Sequence, residues 1–243
     1  MFVHGWAGSS GYFGPTLRFL DLARTRVVRV EMRGHGGSEP GRAEGLGLEQ
    51  AAEDILQVAH AVGARQFVLL GFSLGAKVAQ YVAVRAPQRV AGLVLVAGCP
   101  VTEIPLPREM LDDWYARVGN GPALAAITER YASRPISSEI LESIARDAEG
   151  IPAPALSGLL EECLRVSFAE SMHAAQMPSL VVGGVQDQIF GPDMLRVTVV
   201  DGLPHARLAL LDCGHEIPVE LPRELAAIIE AFLAGLPVAT SVE

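Results

Sequence analysis

Basic residues are in the minority in this chain of 243 residues. Lys and Arg number 19 against 28 Asp and Glu, giving a formal net charge of −9. That balance argues against a nucleic-acid partner and offers no basic patch to an anionic membrane surface. Long apolar runs are missing too: Gly, Pro or a charge cuts each stretch before the roughly 18–20 residues a membrane span needs. Cysteine is scarce. Cys99, Cys163 and Cys213 are odd in number, widely spaced and form no CxxC pair. Neither a disulfide framework nor a metal site is expected, and a reducing cytoplasm is the expected setting. Cys213 reads as a small packing residue. The opening Met1-Phe2-Val3-His4-Gly5 does not read as a secretory leader, and no repeat or low-complexity segment is visible.

What is present is a core. Half the residues are hydrophobic, enough for one large α/β domain or a core with an insertion. Short β-rich runs alternate with amphipathic ones, the pattern of a parallel sheet covered on both faces. Strands are predicted at Phe2-Val3, 27–31, 66–70, 90–96, 179–182 and 207–211. Helices are predicted at 16–23, 48–62, 74–85, 192–200 and 221–233, the last with Leu225, Ile228, Ile229 and Phe232 on one face. Residues 101–176 break the rhythm. They carry helical patterns at 109–118, 122–131, 138–148 and 157–168 without an intervening strand, punctuated by Pro105, Pro107, Pro135, Pro152 and Pro154. The expected division is a core of 1–100 and 177–243 with a helical cap of 101–176. The tail after Gly235 is expected to fray.

Residues 71–75 read Gly-Phe-Ser-Leu-Gly, between a strand pattern and a helix pattern. Such a turn pushes the Ser73 hydroxyl out over the sheet at a helix N-terminus, and side chains at Gly71 or Gly75 would collide with neighbouring backbone. A serine hydroxyl needs a base, a group that orients the base, and donors for an oxyanion. On this kind of scaffold the order is Ser, acid, His. Of six histidines only His215 follows a late strand on a short Gly-containing loop and precedes the last helix. His60 and His205 read as surface or structural residues. His173, in the segment leaving the cap, is a candidate for the edge of a pocket. The acid should follow the preceding strand, where Val181-Val182-Gly183-Gly184-Val185-Gln186-Asp187 supplies Asp187. Asp193 and Asp201 lie too far downstream, and Asp212 too close to His215.

Oxyanion donors are expected from the backbone N–H groups of Leu74, directly after the serine, and of Trp6 in the His4-Gly5-Trp6 loop. The Trp6 indole is expected to wall the pocket and His4 to hold the loop by hydrogen bonds. Phe72 and Trp114 are further pocket candidates. Arg33-Gly34-His35-Gly36-Gly37-Ser38 is Gly-rich, but no phosphate-binding lysine follows it and it lacks the Gly-x-Gly-x-x-Gly spacing.

Taken together, His-Gly-Trp at 4–6, Arg-Gly-His-Gly-Gly-Ser at 33–38, Gly-Phe-Ser-Leu-Gly at 71–75, Gly-Gly-Val-Gln-Asp at 183–187 and Gly-His at 214–215 resemble the α/β-hydrolase family. The likeness covers the chain except the cap and points to its serine carboxylesterase-like branch. It implies a mostly parallel sheet flanked by helices, a Ser73–Asp187–His215 triad and an oxyanion hole at Trp6 and Leu74. Two departures stand out. The chain begins almost at the His-Gly motif, so the usual first two strands are expected to be lacking. The exposed edge would be covered by a second copy of the chain, or kept solvated by Arg26, Arg29 and Glu31. Ala76 stands where many relatives have a second Gly.

A serine at position 73 disfavours the dehalogenase and epoxide-hydrolase branches of that family, which use an Asp nucleophile. The leading expectation is hydrolysis of short- to medium-chain carboxylic esters, with a small-molecule ester as partner and no metal or organic cofactor. Apolar cap residues, from Leu106, Met110, Leu111 and Trp114 through Leu124 and Ile127 to Leu159, Leu160 and Phe168, are acyl-pocket candidates, of which packing accounts for most. Lactonases, methyl ester esterases acting on carrier-protein-bound acyl chains, and cofactor-free perhydrolases share this machinery. A non-catalytic ligand receptor on the same scaffold is the alternative from another class. The cap, with 6 Arg, no Lys and 12 Asp plus Glu, weighs against an acidic carrier protein.

Overall fold

Runs rich in valine and leucine pair side by side into a six-stranded parallel sheet. The computed structural model describes residues 1–41 and 46–236. The strands are β1 (Phe2–Val3), β2 (Arg29–Val30), β3 (Phe67–Phe72), β4 (Val90–Val96), β5 (Ser179–Gly184) and β6 (Ala206–Leu211). Their order is β2-β1-β3-β4-β5-β6, with every pairing parallel. β3 and β4 are almost continuously apolar because helices cover both faces. Alternation sorts their side chains. Phe67, Leu69, Leu93 and Leu95 enter one core cluster, and Leu70, Phe72, Val94 and Val96 the other.

The first cluster also takes α2 (Leu48–Ala61) and α3 (Leu74–Arg85) through Leu48, Ile55, Val78 and Val82. The second takes α10 (Pro222–Ala234) through Leu225 and Ile229. From β1 the chain runs outward to β2, then crosses back through α2 to β3 on the other side. The strand order therefore reverses between β1 and β3. Their carboxyl ends flank the crevice where open α/β sheets bind ligands, and those ends carry His4-Gly5-Trp6 and Ser73.

Between β4 and β5 lie α4 (Arg108–Ala116), α5 (Gly121–Tyr131), α6 (Ser138–Glu149) and α7 (Ala153–Arg165), with no strand among the described residues. Side chains near the crevice tie this insert down. The Trp6 indole N–H donates to the Leu156 carbonyl at 2.8 Å. The Lys77 ammonium, wholly buried in α3, donates to the Thr102 carbonyl at 2.7 Å and also to that of Cys163. Glu162 of α7 accepts from the Leu48 N–H at 3.0 Å, at the start of α2.

Most predicted boundaries lie within two residues of those observed. The helix expected at 157–168 starts four residues earlier and ends three earlier, as α7, and three other elements differ in length or type. The strand expected over 27–31 is only Arg29–Val30, and it forms the sheet edge. The helix expected at 16–23 is the single turn α1 (Gly14–Leu17). The Asp21 side chain accepts from the Ala23 N–H at 3.1 Å, a local turn that competes with helix. The helix expected at 192–200 begins as α8 (Pro192–Leu195) and widens into a π-helix over Arg196–Val200. Four β-branched neighbours, Val197, Thr198, Val199 and Val200, crowd it, and the Thr198 hydroxyl donates back to the Met194 carbonyl at 2.7 Å. The fraying expected after Gly235 concerns residues 237–243, outside the described residues. No helix among them is long and apolar enough to cross a membrane.

Candidate active site

Ser73 occupies the one-residue turn between β3 and α3, with φ 52° and ψ −119°. A non-glycine residue there is strained, and the surrounding contacts hold it. Its N–H donates to the Val96 carbonyl at 2.9 Å, and its own carbonyl accepts from the Ala76 N–H at 2.9 Å. The flanking glycines make the turn feasible. A Cβ on Gly71 would lie 2.2 Å from the Gly75 carbonyl oxygen, and one on Gly75 would lie 2.3 Å from that of His4. Ser73 is thereby presented at the end of β3, beside the loop that follows β1.

His215 reaches the serine from the loop after β6. The Ser73 hydroxyl lies 2.9 Å from Nε2, and Nδ1 lies 2.8 Å from Asp187 Oδ2. An ionised carboxylate only accepts, so Nδ1 carries the proton and Nε2 is left as acceptor for the serine O–H. Asp187 follows β5. Its Oδ1 accepts from the Ile189 and Phe190 N–H groups at 2.8 and 3.0 Å, which fixes the carboxylate plane. His215 is wedged between Phe72 and Phe190 at ring-centroid distances of 5.5 and 5.7 Å.

Burial alone would push the His215 imidazolium pKa down. The Asp187 charge and hydrogen bond outweigh that, with Glu216 and Glu220 adding to them, so the net shift is upward from the ordinary value. For Asp187 burial pushes upward, but the His215 charge and hydrogen bond and the two backbone donors hold it below the usual carboxylate range. The serine therefore faces an imidazole whose tautomer and orientation are fixed by a charged partner.

Trp6 and Leu74, whose backbone N–H groups are the expected oxyanion donors, both line the cavity over Ser73. Leu74 opens α3, and Trp6 lies on the turn after β1, where Gly8 N–H bonds to the Gly5 carbonyl at 3.3 Å and Ala7 has φ 54°. Neither N–H donates to a backbone carbonyl among the described residues. His4 holds this loop as expected. Its Nδ1–H donates to the Gly5 carbonyl at 2.8 Å, and Nε2 accepts from the Met32 N–H at 3.1 Å. Burial, with His35 alongside, pushes its pKa down to about 3, so it stays neutral. The 33–38 turn is filled from within, since Glu31 Oε2 accepts from the Gly37 N–H at 2.6 Å.

A largely apolar cavity of about 850 Å³, its open mouth included, covers Ser73 and His215. Trp6, Phe72 and Trp114 line it as expected, and Trp6 stacks on Trp114 at 5.2 Å. Of the cap candidates, Leu106, Leu124, Ile127 and Leu160 also line it, whereas Met110, Leu111, Leu159 and Phe168 do not. His173 is a correction. It is exposed, bonded to the Glu170 carbonyl, and outside the cavity. His60 and His205 are exposed.

Four residues at the site escaped sequence reading: Tyr12, Thr128, Glu216 and Glu220. Glu220 Oε2 accepts from the N–H groups of Ser133 (2.7 Å), Arg134 (2.9 Å) and Gly214 (3.0 Å), and Oε1 from that of Glu216 (3.0 Å). It thus joins the His215 loop to the cap. The available signal was two acids, Glu216 and Glu220, flanking the apolar Ile217-Pro218-Val219. No cluster of three or more His, Cys, Asp or Glu suited to a metal occurs among the described residues.

Comparison with known proteins places this geometry in a family. Residues 1–222 match the alpha/beta hydrolase fold family, and the chain belongs to it. It is 25% identical to human monoacylglycerol lipase ABHD6 over 97% of this chain and 75% of that one. It is 26% identical to the pimeloyl-[acyl-carrier protein] methyl ester esterase of Nitrosomonas europaea, over 95% of this chain and 93% of that protein. The solved esterase EaEST from Exiguobacterium antarcticum superimposes with a TM-score of 0.87 at 16% identity, covering 96% of this chain and 90% of the esterase, a likeness of fold.

Proposed function

We propose that this member of the alpha/beta hydrolase fold family is a serine hydrolase that cleaves carboxylic esters through an acyl-enzyme. Ser73 Oγ attacks the ester carbonyl carbon while His215 Nε2 takes its proton. The resulting oxyanion accepts hydrogen bonds from the Trp6 and Leu74 N–H groups. Collapse breaks the bond to the alcohol oxygen, which leaves with the proton returned by His215. Water, deprotonated by the same nitrogen, then attacks the acyl-serine, releases the acid and restores Ser73. Asp187 holds the imidazole in the working tautomer and balances its transient positive charge.

The observation that carries this reading is the unbroken line from Ser73 Oγ through His215 to Asp187, at 2.9 and 2.8 Å. The apolar lining supports short- to medium-chain acyl groups, and no step calls for a metal or organic cofactor. Three buried, unpaired cysteines fit a reducing cytoplasmic setting.

Hydrolysis of p-nitrophenyl esters from acetate to palmitate, by the native chain and Ser73→Ala, tests the proposal. The variant should lose turnover by a factor on the order of 10⁶. Retention of activity by the folded variant would remove Ser73 from the mechanism.

A further inference from the structure

The cavity over Ser73 is apolar except at one end, where Tyr12, Thr128 and Glu216 gather. Tyr12 comes from a single turn of 3-10 helix at Ser10–Phe13, and its ring stacks on Phe72 at 5.2 Å and 13°. Its hydroxyl donates to Glu216 Oε2, and Thr128, from α5 in the cap, stands alongside on the cavity wall. Glu216 is 6% exposed and lines the cavity. Its other oxygen, Oε1, has no hydrogen-bond partner among the described residues. Its backbone N–H is held by Glu220, which fixes where the side chain starts.

A carboxyl opening onto a largely apolar cavity is costly, and a leucine or methionine would fill the same space without that cost. We propose that Glu216, braced by Tyr12, is a hydrogen-bonding subsite beside His215 that selects esters carrying a free hydroxyl group. This rests on the ester-hydrolase reading above and adds the class of substrate.

A shared cavity sets the reach. Ser73, His215 and Glu216 line one cavity, so a hydroxyl on a short ester can meet Oε1 while the ester carbonyl meets Ser73. Charge selects the group. Asp187, Glu216 and Glu220 all surround His215, so a substrate carboxylate would meet like charge. An ammonium group would stand beside an imidazole that must itself become cationic in each turnover. A hydroxyl satisfies Oε1 and adds no charge. Burial lifts the Glu216 carboxyl pKa to about 7, against the opposing effects of the His215 charge and the Tyr12 hydrogen bond. Near neutrality Oε1 can therefore accept from a hydroxyl or donate to one.

The test compares kcat/KM for isosteric ester pairs. On the alcohol side the pair is 2-hydroxyethyl butyrate and propyl butyrate. On the acyl side it is methyl 3-hydroxybutyrate and methyl 3-methylbutyrate. At least one hydroxylated member should exceed its isostere by about tenfold or more, the scale of a hydrogen bond that leaves a buried group unpaired when missing. Glu216→Met should bring that ratio to about one. The near-isosteric Glu216→Gln, which keeps a neutral acceptor, should lower it severalfold. A purely structural role for Glu216 would instead depress both members equally and leave the ratio intact, which overturns the inference. So would a native enzyme without preference, or one that prefers 2-(dimethylamino)ethyl butyrate. In each of those cases Ser73-dependent turnover leaves the ester-hydrolase reading standing. Failure to hydrolyse any of these esters overturns that reading and this inference together.

Discussion

Ser73, Asp187 and His215 were legible from sequence because each sits on a short loop after a strand, and the chain order of such loops constrains which side chains can meet. Glu216 and Glu220 were not. Their partners Tyr12, Ser133 and Arg134 lie more than eighty residues away, and only the folded chain brings them together. Two predictions belong to single residues. General-base work needs neutral His215, and its pKa is raised, so the acidic limb of kcat/KM against pH should have its midpoint above the ordinary 6.5. Glu216→Gln removes a negative charge that helps raise it, so the midpoint should move to lower pH. Stability should respond in the opposite sense. A carboxyl with a raised pKa binds its proton more tightly folded than unfolded, so the native chain loses stability as pH rises from about 4.5 to about 7. Glu216→Gln should therefore melt higher than the native chain at pH 8, with the margin shrinking toward pH 5.

At the scale of elements, hydrophobic periodicity located β3, α3 and β4 within one or two residues, since each is long and buried on a defined face. It overextended α1 and missed the π-helical widening after α8, where local side-chain-to-backbone bonds at Asp21 and Thr198 decide the outcome. The turn between β3 and α3 has no slack. Gly75→Ala would push a Cβ to 2.3 Å from the His4 carbonyl oxygen, and should cost about 3 kcal/mol by urea denaturation. The loop bearing His215 depends on Glu220. Glu220→Ala would orphan four backbone N–H groups. The loss should be on the order of 3 kcal/mol or more, with kcat falling as the imidazole loses its register.

For the molecule as a whole, sequence placed the insert and its acidic excess, but not how its charges are spent. Five of its six arginines, Arg108, Arg117, Arg130, Arg134 and Arg146, pair with nearby Asp or Glu. Little free positive charge remains on that face for an acidic carrier protein to find. A methyl ester on an acidic carrier should therefore show no gain in kcat/KM over the same acyl group as a free methyl ester. A large gain that disappears with added salt would point to the carrier-bound substrate class instead.

The claim on which the account depends is that Ser73 Oγ forms the covalent intermediate. A p-nitrophenyl alkylphosphonate, which traps an activated serine, tests it directly when activity and intact mass are followed together and the label is mapped to a peptide. The account predicts one label per chain, on Ser73, with ester hydrolysis falling in step and no labelling of His215→Ala. Full hydrolysis by an unlabelled chain, or inactivation with the label elsewhere, would contradict it.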